Sequence, residues 1–257
     1  MQQSHKIIIF TDLDGSFLDH DSYDYSPALP ALKRLKDLNI PVIPTTSKTI
    51  AEIEALDLPF DNAEKIAENG MVIFDGENTS AVDKSYLAIL DFICALPGDL
   101  RHKITGFNDM SIDEVVKHTS LDPRNAELAK TRLGSEPFLW SGEQDEFSRI
   151  ETLAHDAGFA IVRGGRFYHL MSANGGKDKA IKALLKGNNE NAITIALGDG
   201  PNDADMLSIV DYGIKIPNAS GHDFVVRRAK GKIIQSPHAG PSGWNYCVNA
   251  LLDDLPL

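Results

Sequence analysis

A short isoleucine-rich apolar run, Lys6–Phe10, stops abruptly at the polar segment Thr11-Asp12-Leu13-Asp14-Gly15. An apolar run without polar alternation suits a strand covered on both faces, as in parallel sheets. The polar, glycine-containing stop reads as the loop at its carboxyl end. The same arrangement returns near the end of the chain, where Ala192–Leu197 stops at Gly198-Asp199-Gly200. Between them, Ala28–Leu38 carries Leu29, Leu32, Leu35 and Leu38 at helical spacing. Ile40–Pro44 is a second buried-strand candidate and Thr49–Leu56 a second helix. Ile66–Ala67 and Met71–Phe74 flank Glu68-Asn69-Gly70, a hairpin signal. Strands alternating with helices predict a doubly wound, mostly parallel, Rossmann-like α/β core.

The pattern changes near Asp83. Helix candidates at Lys84–Ala95, Ile112–His118 and Pro123–Leu133 alternate with strand candidates at His102–Phe107, Glu136–Trp140, Phe159–Val162 and Phe167–Met171. After this α+β stretch the first pattern resumes. Lys177–Leu185 and Ala204–Val210 read as helices, Gly213–Ile216 and Lys232–Ile234 as strands, and Trp244–Leu252 as a closing helix. The layout predicted is a core of residues 1–82 and 166–257, interrupted by an inserted α+β cap domain at 83–165.

Composition removes several classes of function. The formal net charge of -12 disfavours a nucleic-acid partner, because phosphate backbones are held by basic surfaces. No apolar stretch reaches the length of a membrane span, and the apolar run in MQQSHKIIIF is too short for a signal-peptide core. Cys94 and Cys247 are far apart and have no neighbours at zinc-ligand spacing. A reducing cytoplasm is therefore the expected compartment. The sequence leaves the oligomeric state open.

In doubly wound sheets, ligands bind beyond the carboxyl ends of the strands. Asp12 and Asp14 follow the first strand, and Asp199 and Asp203 follow a later one. Four carboxylates in one crevice repel and call for a cation or protons. Oxygen donors with room for water suit Mg²⁺, a hard ion that works with phosphates. Each motif has a plainer reading. Asp12-Leu13-Asp14 alone can be a solvated turn or a helix cap, and Asn202 or Asp203 can cap the following helix. Thr46 can be a cap too, and Lys177 a solvated lysine.

Taken together and in order, the motifs resemble the haloacid dehalogenase-like phosphatases. Asp12-Leu13-Asp14-Gly15-Ser16 matches the first motif, Thr46 the second, Lys177 the third, and Gly198-Asp199-Gly200-Pro201-Asn202-Asp203 the fourth. A closer resemblance, to the mannosyl-3-phosphoglycerate phosphatases, is carried by several further stretches. These are Thr45-Thr46-Ser47-Lys48-Thr49, Glu68-Asn69-Gly70, Gly106-Phe107-Asn108-Asp109-Met110, Ser135-Glu136-Pro137-Phe138, Gly164-Gly165-Arg166-Phe167 and Gly240-Pro241-Ser242-Gly243-Trp244. Arg132-Leu133-Gly134 departs from that pattern, which has an acidic residue after the arginine.

The resemblance implies a phosphoaspartyl route. Asp12 is the expected nucleophile and Asp14 the expected acid–base. Thr46 and Lys177 complete the catalytic set as partners of the phosphoryl group. Mg²⁺ is expected on Asp12, Asp14, Asp199 and Asp203, with Asp203 either a ligand or a supporting partner. The substrate-binding candidates are Ser47, Lys48, Arg132, Arg166 and Asn202. Arginine suits bidentate capture of a carboxylate such as that of glycerate. The expected partner is a small anionic phosphorylated metabolite. A broader sugar-phosphate phosphatase, a phosphomutase and a non-catalytic phosphosugar sensor are the rival readings.

Overall fold

The computed structural model describes residues 6–83, 85–187, 189–218 and 223–255. In chain order the elements are β1 (Ile7–Thr11), α1 (Leu29–Asp37), β2 (Val42–Pro44), α2 (Ile50–Ala55), β3 (Lys65–Ala67), β4 (Val72–Phe74), β5 (Thr79–Ala81), α3 (Tyr86–Ala95), α4 (Gly98–Arg101), β6 (Ile104–Gly106), α5 (Ile112–Thr119), α6 (Pro123–Ala129), β7 (Ser135–Trp140), α7 (Gln144–Asp156), β8 (Phe159–Arg163), β9 (Tyr168–Ser172), α8 (Lys177–Leu185), β10 (Ile193–Gly198), α9 (Ala204–Ile209), β11 (Tyr212–Lys215), β12 (Lys232–Gln235) and α10 (Gly240–Asp254). Lys84, at the head of one expected helix, lies outside the described residues.

The chain divides into two compact units. The first takes Met1–Thr46, Pro59–Ile66 and Lys177–Leu257, and the second takes Ser47–Leu58 and Ala67–Gly176. In the first, five strands form a sheet in the order β12-β11-β10-β1-β2, and every pairing is parallel. All five residues of β1 are buried, so both faces are covered, as its unalternated sequence requires. After β1 the chain moves to β2 on one side, and β10 later fills the other. The switch point thus falls between β1 and β10, whose register sets Thr11 opposite Leu197. Helix α1 buries Ala31, Leu32 and Leu35 from its leucine stripe. Helix α10 begins at Gly240, four residues before the expected start, and buries Trp244 completely.

The second unit holds a sheet ordered β6-β7-β9-β8 with antiparallel pairings throughout. One core gathers Ile89 and Ile93 of α3, Phe147 and Ile150 of α7, and Phe138 and Leu170 of the sheet. A second joins Val115 of α5 to Ala126 and Ala129 of α6, with Phe107 and Phe167 edge-to-face at 5.0 Å. Helix α7 was not among the expected elements, nor were α4 and β5. Its signal was available: Phe147, Ile150 and Ala154 lie on one face, and Glu143 and Glu146 close a capping box at its start.

The boundaries of this unit differ from the expected 83–165, and helix α6 stops at Ala129 rather than Leu133. One buried carboxylate accounts for both. Glu68 sits in a turn, Glu68–Gly70, whose residues have φ of 51°, 56° and 88°. Its Oε1 accepts the Leu133 N–H at 2.8 Å. Its Oε2 accepts the N–H groups of Gly134 and Ser135 and the Ser135 hydroxyl, at 3.1, 2.9 and 2.9 Å. Those amides therefore do not continue a helix. Arg132, 3.5 Å from Glu68, is buried with it and donates to the carbonyls of Ser135, Ala129 and Ser47. The Glu68 N–H bonds Lys48 O at 2.8 Å, and Thr49 Oγ1 bonds Leu128 O at 3.1 Å. Segments 47–58 and 67–82 thus fold with the cap residues rather than with the parallel sheet.

Glu68→Ala strands three amides and one guanidinium without their acceptor. The unfolding free energy of the second unit is expected to fall by about 3–5 kcal/mol. Hydrogen exchange at Leu133, Gly134 and Ser135 would report it. Unchanged protection there would show that the carboxylate does not hold this segment.

Candidate active site

Asp12 is the first residue beyond β1, and its N–H donates to Leu197 O at 2.8 Å. Asp199 is the first residue beyond β10, the neighbouring strand. Parallel pairing therefore brings residues 187 positions apart to the same sheet end. A tight loop follows Asp12, closed by Leu18 N–H on Leu13 O and Gly15 N–H on Leu18 O. Gly15, with φ of 78°, lies so close to Asp199 that a Cβ there would fall 2.3 Å from Oδ2. Only glycine allows that approach together with that backbone conformation.

Oxygens of Asp12, Asp199 and Asp203 all lie within 4.8 Å of one another, and all three residues are buried. Lys177, the first residue of α8, points its Nζ into the group. It bonds Asp12 Oδ1 at 2.7 Å and Asp203 Oδ1 at 2.6 Å with its side chain only 1% exposed. The solvated-lysine reading is thereby excluded. Asp203 Oδ2 accepts the N–H groups of Asp199 and Gly200 at 3.0 and 2.9 Å. Both Asp203 oxygens are thus engaged by Lys177 and the loop, and its side chain orders the Gly198–Asp203 turn. That favours the supporting role over a place as metal ligand. Asp14 is half-buried and close enough to raise the pKa of both Asp12 and Asp199, but it stands outside the buried triad.

Thr46 is fully buried just past β2, with its N–H on Ile66 O at 2.9 Å. The preceding Thr45 N–H bonds Thr11 O, so Thr46 shares the sheet end of Asp12. Asn202 lies half-buried in the turn Pro201–Asp203. The remaining candidates fall in the second unit. Ser47 is half-buried and Lys48 buried; Arg166 is exposed and donates to Thr119 O at 2.8 Å. Arg132 is not placed as a substrate-binding group: its guanidinium is spent on Ser135, Ala129 and Ser47 within its own unit. Asn218 was missed. Its side-chain amide donates to Asp199 Oδ2 at 2.6 Å. It lies in the loop after β11, which ends at Lys215, so the strand-end rule extended to the next strand's loop would have reached it.

Burial pushes the Asp12 carboxyl up to about 7, with Lys177 opposing and Asp203 adding to the rise. Burial, then repulsion from Asp12 and Asp203, pushes Asp199 up to about 8. Burial alone would lower Lys177, but Asp12 and Asp203 overcome it, so its pKa lies above the usual lysine value. Three buried carboxylates face one ammonium. This excess negative charge, displayed on oxygen donors alone, fits a hard divalent cation.

Comparisons with known proteins agree with this geometry. Residues 137–230 match the family described as haloacid dehalogenase-like hydrolase. The chain is 36% identical to a glucosyl-3-phosphoglycerate/mannosyl-3-phosphoglycerate phosphatase of Persephonella marina, over 97% of this chain and 98% of that one. It is 37% identical to a protein of the same name from Methanococcoides burtonii, over 96% and 97%. Among solved structures, a haloacid dehalogenase-like hydrolase from B. subtilis superposes with a TM-score of 0.64 at 16% identity, covering 97% of this chain and 99% of that chain. A phosphatase of the same superfamily from Bacteroides thetaiotaomicron gives 0.66 at 18%, covering 98% and 97%. These last two establish the fold. Fold and site together define a haloacid dehalogenase-like phosphatase, a phosphoric monoester hydrolase. Within that class the chain belongs to the glucosyl-3-phosphoglycerate/mannosyl-3-phosphoglycerate phosphatase family. No helix among the described residues is long and apolar enough to cross a membrane.

The raised aspartates set a pH dependence for the metal-free protein. Between the ordinary value of 3.8 and about 8, the folded state binds more protons than the unfolded chain. Stability therefore falls as pH rises through that window. In chelator, the melting temperature is expected to drop between about pH 5 and pH 8, and Mg²⁺ should restore most at the upper end. A midpoint that rises or stays level with pH, with no larger Mg²⁺ gain at high pH, would contradict the assignment.

Proposed function

We propose that the chain hydrolyses a sugar-type phosphomonoester through an aspartyl-phosphate on Asp12, with mannosyl-3-phosphoglycerate as the leading substrate and its glucosyl counterpart as the alternative. The observation that carries this reading is the buried Lys177 bridging Asp12 and Asp203 beside Asp199. The names of the relatives support the substrate class.

In this reading, a carboxylate oxygen of Asp12 attacks phosphorus and the substrate's ester oxygen leaves. Asp14, less buried than Asp12, gives the leaving oxygen its proton and later takes one from the water that releases phosphate. One group serves both steps because the second reverses the first transfer. Lys177 opposes the burial that raises the Asp12 pKa, aims its carboxylate, and adds positive charge where the phosphoryl oxygens gather. Thr46 offers them a hydroxyl donor. Asp12, Asp199 and the Asp14 backbone carbonyl would hold Mg²⁺, which when bound neutralises charge on the phosphoryl group. In this reading, recognition of the non-reacting part of the substrate falls to Ser47, Lys48, Arg166 and Asn202. Action in the cytoplasm on a small anionic metabolite completes the proposal.

A phosphate-release assay on mannosyl- and glucosyl-3-phosphoglycerate tests the chemistry. Asp12→Asn is expected to abolish turnover while the fold survives, since the amide is a near-isostere but a poor nucleophile. Chelator should remove wild-type activity and Mg²⁺ restore it, with Ca²⁺ a poor substitute because it prefers a larger, looser oxygen shell. Full activity in metal-free buffer, or in the Asn variant, sinks the mechanism.

Recognition is tested separately. Arg166→Ala is expected to cut kcat/KM for a glycosyl-phosphoglycerate by roughly 10- to 100-fold, about 1.4–2.8 kcal/mol of charge-assisted hydrogen bonding. Hydrolysis of an aryl phosphate, which lacks the carboxylate, should change far less. Equal losses on both substrates would assign Arg166 to the fold instead.

A further inference from the structure

Both peptide groups flanking Asp12 are pinned, but by different means. On the amino side, neighbouring strands do it: Thr11 O accepts the Thr45 N–H at 2.8 Å, and the Asp12 N–H reaches Leu197 O at 2.8 Å. On the carboxyl side the sheet has ended. There the Asp12 carbonyl accepts the Thr11 hydroxyl at 2.8 Å, with only a long 3.4 Å contact from Phe17 N–H beside it. A hydroxyl can rotate, so this bond needs something to fix its direction. Trp244 supplies it. Its indole Nε1–H donates to Thr11 Oγ1 at 3.0 Å, and the indole can only donate. The Thr11 oxygen is thereby the acceptor, and its proton is directed to the Asp12 carbonyl.

Neither Thr11 nor Trp244 has measurable exposure to solvent. The indole is held edge-on by Phe17, at 5.2 Å between ring centres and 78° between planes. Its approach to β1 depends on Gly243, where a Cβ would meet His238 O at 2.0 Å and Ser236 Oγ at 2.4 Å. The last helix of the chain therefore reaches the backbone of the first loop through one buried relay.

We infer that Trp244 and Thr11 act as positioning residues for Asp12, fixing the peptide plane after it and so the direction of its Cα–Cβ bond. This rests on the reading of Asp12 as nucleophile. Attack needs the carboxylate oxygen aligned with phosphorus, and a displacement of about 1 Å can cost up to 10²-fold. Substrate binding does not depend on that alignment, so the effect belongs in kcat rather than KM.

The experiment measures kcat and KM for an aryl phosphate with Mg²⁺ in wild type, Asp12→Asn, Thr11→Val, Thr11→Ser, Trp244→Phe and the Thr11→Val/Trp244→Phe double variant, well below each melting temperature. Thr11→Val keeps the shape and removes the hydroxyl; Trp244→Phe removes the donor. Each is expected to lower kcat by about 10-fold with KM within about twofold. Thr11→Ser should retain most of the rate, and the double variant should fall no further than Thr11→Val, because one relay is broken once. Wild-type kcat in Thr11→Val overturns the inference alone. So does a double variant that loses the product of the two single effects, or a Thr11→Ser as slow as Thr11→Val. Full activity in Asp12→Asn overturns the nucleophile assignment and this inference with it. If Trp244→Phe fails to fold, the Val and Ser pair at Thr11 still decides the question.

Discussion

A lysine whose side chain is 1% exposed lies between two buried aspartates, and the rest of the active site depends on it. Removing a charge from water is costly unless it is paired and hydrogen-bonded. Lys177 meets that condition twice, and in doing so joins three elements: the end of β1, the start of α8 and the turn after β10. Asp203 answers Lys177 with one oxygen and two loop amides with the other. The nucleophile's orientation and the shape of the phosphate-side loop are therefore one electrostatic arrangement. Burial first, and then the neighbouring carboxylates, raise the pKa values of Asp12 and Asp199, and a divalent cation would relieve that penalty.

The second unit is organised on the same principle with the signs exchanged. Glu68 is the buried charge there, and three backbone amides, a hydroxyl and Arg132 surround it. The chain must enter left-handed φ/ψ to place that carboxylate. The return is a fixed path for residues 131–135 and a fixed Ser47–Lys48 backbone, since Arg132 and Glu68 bond the carbonyls of those two residues. An arginine that composition alone offers as a substrate clamp is, in place, part of the scaffold.

The chemistry of the site was legible because it follows a period and a rule. An unalternated apolar strand ends in a carboxylate twice, and parallel sheets present those ends together. Asp12, Asp199 and the doubly wound core are readable on that ground; Lys177, which opens a helix rather than following a strand, was singled out only by the motif resemblance. Helix α7 was readable too, from Phe147, Ile150 and Ala154, but its polar exposed face obscured the stripe. The limits of the second unit were not readable. Glu68 reaches Ser135 across 67 positions, and no local pattern announces such a bond. The same is true of Trp244 and Thr11, which are 233 positions apart.

By itself, then, the sequence determined which carboxylates follow buried strands, since hydrophobic period and strand-end loops are local properties, while the phosphate chemistry came from the motif resemblance. Only the tertiary structure decided what each charged side chain does there. Asp203 and Arg132 carry the same charges as Asp199 and Arg166 and differ only in where burial and hydrogen bonding leave them. Asp203 and Arg132 are enclosed and engaged by their own loops, Asp199 keeps its repulsion from Asp12, and Arg166 stays exposed. The physical reason is that an ionised group's role is set by which partners replace its water, and those partners are assembled by long-range folding.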